Sequence, residues 1–322
     1  MAAGAAEETM NYLDYYRLGQ EPFSSSPESR FFFNSVQHSE AMIRLRRALE
    51  ARKGLSVLIG NLGTGKTTLA RKMLESLAED RYEPALMVVI HSRVTADWLL
   101  QKIALQVGVE EPDSDKLRLL NQLYRRLVEI HEAGRHAVVM IDEAQMLGSR
   151  ELMEEFRGLL NLEHGEKRLI SFIFFGLPEI DKVLRLDPPL VQRMELRCHL
   201  ESLNESSTEL YVQHRLKLAG ASRPLFTAEA LHAVHVYSQG TPRLINTLCD
   251  NALFEGYLLK LETVDERTVN GVAFDLGFSE ARPAAALGRR AAAPADPQAP
   301  VKEEEGQELE EIDRMLEDLE EG

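Results

Sequence analysis

Nine consecutive residues carry the most specific chemistry in the chain: Gly60-Asn61-Leu62-Gly63-Thr64-Gly65-Lys66-Thr67-Thr68. They satisfy G-x-x-x-x-G-K-[ST] through Gly60, Gly65, Lys66 and Thr67. An apolar run, Leu55-Ser56-Val57-Leu58-Ile59, precedes them and a helical pattern over residues 69–77 follows. Strand, glycine-rich turn and helix form the context in which this spacing binds phosphate. Glycines allow successive backbone N–H groups to point inward. The start of the helix adds unpaired N–H groups and the positive end of its dipole. Lys66 supplies a point charge for the outer phosphates, and the Thr67 hydroxyl is a hard oxygen ligand for Mg²⁺. The expected ligand set is therefore Gly60, Asn61, Gly63, Thr64, Gly65, Lys66, Thr67 and Thr68 around ATP.

A second constellation closes the apolar run Ala137-Val-Val-Met-Ile141: Asp142-Glu143-Ala144-Gln145. The first carboxylate suits the Mg²⁺ shell and the second suits orienting or deprotonating an attacking water. Alone, an apolar run ending in Asp-Glu is a weak signal; paired with a phosphate loop upstream it is a strong one.

These residues need a scaffold that brings strand ends together. Residues 85–90, 137–141 and 169–175 read as buried strands, and Met194–Leu200 alternates like an edge or terminal strand. Helical patterns over about 95–107 and 114–132 separate them. Continuous apolar strands alternating with helices predict a parallel sheet covered on both faces, with ligands at the carboxyl ends of the strands. Ser39 is a plausible N-cap for an earlier helix carrying Met42, Leu45 and Leu49. From about residue 201 the pattern is helix only, over 205–218, 227–237, 241–256 and 265–276. The predicted fold is thus α/β, with residues 1–34 an aromatic-bearing extension and 35–200 a P-loop core. Residues 201–278 form a small all-helical lid, 279–306 an Ala/Pro-rich linker and 307–322 a disordered acidic tail. The aromatics at 12–33 could flank an adenine or pack against a domain edge. The tail places Leu309, Ile312, Leu316 and Leu319 on one face, a stripe that could dock in a partner's groove.

Composition narrows the function classes. The 322 residues carry a formal net charge of −15. Residues 281–322 hold 5 Lys/Arg against 12 Asp/Glu, leaving 32 against 40 in the rest, so the body is acidic without its tail. This argues against broad electrostatic binding to nucleic acid. Local strips such as Arg44/Arg46/Arg47/Arg52/Lys53 and Arg125/Arg126 keep DNA open as a partner. Two cysteines are too few for a disulfide framework and favour a reduced, cytoplasmic chain. The first residues lack the features of a signal peptide, and no apolar run reaches the ~20 residues of a membrane span. Inner-membrane association would therefore come through a partner. Nine histidines are scattered without metal-ligand spacing, with His131/His136 and His232/His235 read as surface or helix residues.

The motifs together resemble an AAA+ ATPase, and more narrowly the secretion ATPases of the ExeA (general secretion pathway protein A) type. The residues that carry the resemblance include Glu21-Pro22-Phe23-Ser24, Pro27, Phe31-Phe32-Phe33, Gly60–Thr68 and Ile141–Gln145. Gly176-Leu177-Pro178-Glu179, Gln192-Arg193 and residues 240–246 complete them, so the resemblance spans about 11–278. It implies a self-assembling ring or filament that hydrolyses ATP between subunits to move a partner in secretion, pilus or polysaccharide-export systems. Arg193 matches the arginine finger that enters a neighbour's site, with Arg197 as runner-up. Arg243, placed by Thr241 as N-cap and Pro242 in the first turn, matches the lid-domain sensor arginine. Two departures stand out. Leu177 occupies a position that is usually polar and cannot hydrogen-bond a phosphate, which implies slow turnover. Members of this type also carry a membrane span and a peptidoglycan-binding domain after the ATPase, so an envelope-spanning role is not expected here. The type is also similar to transposition-helper ATPases of the TniB and TnsC kind, which keeps a DNA-associated regulator as the rival reading. A nucleotide-gated interaction switch with little turnover is the third.

Overall fold

The computed structural model describes residues 11–24 and 29–278; the tail stripe Leu309/Ile312/Leu316/Leu319, the linker and residues 1–10 lie outside it. The described residues divide into two compact units, one of residues 36–201, the other of residues 11–35 with 202–278.

The first unit begins with α2 (Val36–Glu50), after a short N-terminal helix α1 (Tyr12–Tyr16) that belongs to the second. It continues through β1 (Leu55–Gly60), α3 (Lys66–Ser76), β2 (Tyr82–Val88), α4 (Ala96–Gln106), α5 (Lys116–Glu132) and β3 (His136–Asp142). Then come α6 (Arg150–Leu159), a two-residue hairpin β4 (Glu163–His164) and β5 (Lys167–Arg168), and β6 (Ile170–Gly176). The short helices α7 (Ile180–Leu184) and α8 (Pro188–Val191) lead into β7 (Met194–Leu200). Strands β2-β3-β6-β1-β7 lie in that order in one sheet, and every pairing is parallel.

Burial follows position. Every residue of β1, β3 and β6 is buried, as their unbroken apolar runs require, because helices cover both faces of central parallel strands. Strand β7 alternates and lies at one edge, as its sequence pattern implies. Strand β2 departs from the buried strand expected over 85–90. It starts at Tyr82, has only β3 as neighbour, leaves several residues half-buried, and Ile90 beyond it is 82% exposed. The core between β3, β6 and α6 is tightened by Phe156, whose ring stands edge-on to Phe172 and Phe174 at 5.1 and 4.8 Å. Such pairs add about 0.5–1.5 kcal/mol each beyond their area burial.

Ser39 is not the cap of α2. The helix starts three residues earlier, and Ser39 sits buried in its second turn with no partner for its hydroxyl among the described residues. His136 is likewise neither a surface nor a helix residue: it is buried in β3. Its Nε2 lies 2.8 Å from Ser171 Oγ, and that hydroxyl donates to the Lys53 carbonyl at 2.7 Å. With its proton so committed, Ser171 must accept from His136, which fixes the Nε2–H tautomer and leaves Nδ1 buried without a partner.

The second unit packs α1 with α9 (Glu205–Leu218), α10 (Ala228–Ser238), α11 (Pro242–Leu258) and α12 (Glu266–Asp275). Asn, Thr and Asp side chains cap α1, α9, α10 and α12, each accepting from a backbone N–H in the first turn. The N-terminal aromatics go into this unit: Tyr16, Leu18 and Phe23 share its core with Val212, Val234 and Ile245. Buried Arg215 organises the segment before α2. Its Nε donates to the Pro22 carbonyl at 2.6 Å, Nη1 to Tyr211 Oη at 2.8 Å and Nη2 to the Ser24 carbonyl at 3.2 Å. The guanidinium also lies over the Phe31 ring, 4.8 Å from its centre. The Glu-Pro-Phe-Ser motif thus wraps a buried cation with carbonyls and π faces, which replaces the carboxylate such a charge usually requires.

Acid should weaken the fold through His136. Burial, then the Arg52 charge, push its imidazole from 6.5 down to about 3. The unfolded ring takes up a proton that the folded ring refuses, so stability falls as pH drops from 6.5 toward 3, by up to about 1.4 kcal/mol per unit from this group. Urea unfolding at pH 7 and pH 5 should show the loss, and His136→Gln should flatten the pH dependence while lowering stability at pH 7.

Candidate nucleotide-binding site

The parallel register sets three loops along one edge of the sheet. Ile59 pairs with Gly176 and Ile141 with Phe174, so the loops after β1, β3 and β6 emerge side by side at the carboxyl ends. Helix α3 begins at Lys66, directly after the turn that leaves β1. Its N-cap is Gly65 in the left-handed region at φ 102°, which has no side chain to occupy the amides of the first turn. The N–H groups of a first helical turn have no intrahelical acceptors, the arrangement that suits an anion at a helix start. Space reinforces the requirement for glycine. A Cβ at Gly65 would lie 2.9 Å from His38 Nε2, and one at Gly60 would lie 2.8 Å from the Leu200 carbonyl oxygen.

The loop is tied from within. Buried Thr64 donates its hydroxyl to the Asn61 carbonyl at 2.9 Å. Lys66 is also buried, and its ammonium donates to the carbonyls of Gly60 and Asn61, each at 2.9 Å. Thr67 Oγ1 donates to Asp142 Oδ2 at 2.6 Å across 75 residues of sequence. Asp142 is buried, and its other oxygen accepts the Glu143 amide at 2.9 Å. Burial raises the Asp142 carboxyl above its ordinary value, against the opposing pull of the Thr67 and Glu143 bonds and Lys66. A cation beside it would favour the ionised form. Thr67 and Asp142 supply adjacent hard oxygens, a donor set that fits Mg²⁺, which takes few protein ligands and keeps waters and phosphate oxygens for the rest.

Glu143 follows in the left-handed region at φ 56°, and Gln145 Nε2 donates to its carboxylate. Gln145 Oε1 accepts the Leu177 amide at 3.0 Å. His38, on α2, is buried beside the loop and hydrogen-bonded to the Thr64 backbone; burial pushes its imidazole down to about 4. Sequence reasoning gave neither His38 nor Gln145 a role. A lone histidine on a helix carries no signal, and Gln145 stood within a quoted motif without a function.

The arginines fall elsewhere. Arg193 lies in the turn between α8 and β7, half-buried and without an ion pair among the described residues. Met194 pairs with Leu55, so Arg193 sits at the amino end of the sheet, a β1-length away from Gly60. Six residues of strand span roughly 20 Å, beyond the reach of one arginine side chain. Arg197 is held by Asp181, Nη2 to Oδ2 at 2.6 Å. Arg243 is exposed in the first turn of α11, with Pro242 in the first helical position. Thr241 stands at the N-cap, but its hydroxyl does not cap the helix and lies 3.3 Å from Ser202 Oγ instead. Leu177 is half-buried.

Fold and site together define a P-loop protein of the AAA+ class. Residues 49–184 match the family model described as AAA domain. The chain is similar to General secretion pathway protein A of Aeromonas hydrophila: 36% identical over 249 residues, covering 76% of this chain and 45% of that protein. The chain thus spans under half the length of this relative. Among solved structures, the Aeropyrum pernix ORC2 protein in its ADPNP-ADP complexes matches at TM-score 0.61 and 16% identity, over 80% of this chain and 71% of that one. Cdc6p from Pyrobaculum aerophilum matches at TM-score 0.59 and 18% identity, over 79% and 70%. These two likenesses concern the fold alone.

Removing either half of the loop's chemistry should be measurable as binding. Lys66→Ala should weaken a fluorescent ATP analogue ~10–100-fold, the net loss of about one charge-assisted bond. Thr67→Ala should remove most of the difference between affinities with Mg²⁺ and with EDTA. Equal Mg²⁺ dependence in wild type and variant would remove Thr67 from the metal site.

Proposed function

We propose that this chain binds Mg·ATP at the Gly60–Thr68 loop and hydrolyses it between subunits of an oligomer. The observation that carries the reading is the Thr67–Asp142 contact, which brings a phosphate loop and a carboxylate strand end to one point. In this reading the amides of residues 63–68 and the Lys66 ammonium hold the phosphates, and Thr67 and Asp142 hold Mg²⁺. The ion, when bound, screens the charge of the phosphate oxygens. Glu143 orients and deprotonates the attacking water. Arg193 stabilises the charge developing on the transferred group, and its position at the far end of the sheet supports delivery to a neighbour's site rather than its own. Arg243 acts as the lid-domain sensor.

The relative of known name supports a place in a secretion, pilus or polysaccharide-export system, in which the nucleotide cycle remodels or assembles a partner. The stripe Leu309/Ile312/Leu316/Leu319 is the proposed handle for that partner. The DNA-associated alternative draws less support from the structure than from the sequence. Within the suggested strips, Arg46 is buried and bonded to the Ser76 carbonyl, Arg44 is paired with Glu40, and Arg126 is held by the Val107 carbonyl and Glu129. Of these, buried Arg46 and carbonyl-bound Arg126 are poor phosphate contacts, whereas exposed Arg44 is held only by a surface pair.

ATP turnover measured against protein concentration, with and without duplex DNA and with Glu143→Gln as blank, tests the reading. Specific activity should rise with concentration and ignore DNA. Stimulation by DNA that fades with salt would favour the rival. Arg193→Ala should bind ATP normally and lose about 10³-fold in turnover. Mixing it with inactive Lys66→Ala should restore activity, because each supplies what the other lacks; no restoration would sink delivery in trans. Deleting residues 300–322 should abolish partner capture and leave turnover intact.

A further inference from the structure

One side chain joins the end of β6 to the proposed base. Gln145 projects from the short 3₁₀ turn over residues 144–146, closed by Met146 N–H donating to the Glu143 carbonyl at 2.9 Å. Its amide has two ends and both are engaged: the NH₂ group donates to Glu143 Oε2, and Oε1 accepts the Leu177 N–H at 3.0 Å. Chemistry fixes this orientation. A backbone N–H can only donate and an ionised carboxylate can only accept, so a flipped amide would lose both bonds. The neighbour at the other side of the contact is shaped for it. A Cβ at Gly176 would lie 3.1 Å from Gln145 Oε1, and 2.9 Å from Ile180 Cδ1 on its other side.

Strand β6 lies between β1 and β3, so its end sits between the phosphate loop and Asp142. A polar side chain at 177 could read a phosphate there directly, whereas Leu177 offers its backbone amide, and that amide is bonded to Gln145. We infer that Gln145 is the positioning residue for Glu143: it sets the carboxylate by reference to the end of β6, so that a shift of that end on nucleotide binding moves the base. The inference rests on the hydrolysis reading above, in which Glu143 activates water. Glu143 also sits at φ 56°, a backbone region that costs a non-glycine residue about 1 kcal/mol or more.

The test separates positioning from folding and from binding. Gln145→Ala should leave the ATP-analogue dissociation constant within about twofold and lower the single-turnover rate ~10–100-fold, the range expected when a catalytic group loses its orienting partner. Gly176→Ala, which crowds Gln145 without touching Glu143, should show a smaller loss of the same kind. The double variant should turn over no more slowly than Gln145→Ala alone, since both act through one contact. Hydrogen exchange by mass spectrometry should show faster exchange at the Leu177 amide in Gln145→Ala. Wild-type turnover in Gln145→Ala, faster turnover, or additive losses in the double variant would overturn the inference. If the wild-type protein hydrolyses no ATP, the hydrolysis reading fails, and with it the catalytic role of Gln145. The exchange measurement then still decides whether the tie to β6 exists.

Discussion

The hydroxyl-to-carboxylate contact between Thr67 and Asp142 sets a demand that much of the first unit exists to meet. The two residues are 75 positions apart in sequence, and their strands are separated by β6. Two inter-strand spacings amount to about 10 Å, too far for strand residues to touch. The gap closes because Thr67 does not lie on the strand: the turn after β1 carries it to the first turn of α3, over the end of β6. Gly60 lets the turn leave the strand beneath the Leu200 carbonyl, and Gly65 lets it enter the helix at φ 102°. A side chain at either position would have to push into its neighbours before the turn could hold Thr67 at 2.6 Å from Asp142.

The same geometry buries two basic side chains against the loop backbone. Lys66 is buried with its ammonium on two carbonyls, and His38 is buried neutral against the loop backbone. A carboxylate salt-bridged to Lys66 would hold its ammonium away from an incoming phosphate, whereas neutral carbonyls can release it at small cost. In the second unit Arg215 follows a related rule, a buried cation satisfied by carbonyls, a phenol and ring faces, but there the result is structural.

Much of this was legible in the chain. Unbroken apolar runs at 55–59, 137–141 and 169–175 became the fully buried strands β1, β3 and β6, and the alternation of 194–200 became an edge. Helix spacing located α4, α5 and the four helices after residue 201 within one or two residues. These signals are local, because covering a strand on two faces or a helix on one leaves a periodic imprint. The edge position of β2 was not legible, since an apolar run does not say how many neighbours it will have. Helix α6 and the β4–β5 hairpin also escaped, as did the true start of α2 ahead of Ser39.

By itself the sequence determined the glycine-rich turn between β1 and α3, the carboxylate pair at the end of β3 and the parallel α/β scaffold, because motif spacing and burial are properties of contiguous residues. Only the tertiary structure decided what depends on strand order and on which side chains meet across it. Order β2-β3-β6-β1-β7 puts the end of β6 between the loop and Asp142, and puts Arg193 at the opposite end of the sheet. It brings Gln145 to the Leu177 amide and His38 to Gly65, contacts between segments 32 and 27 residues apart that no periodicity records. A hydrogen bond across the fold leaves no imprint on the residues in between.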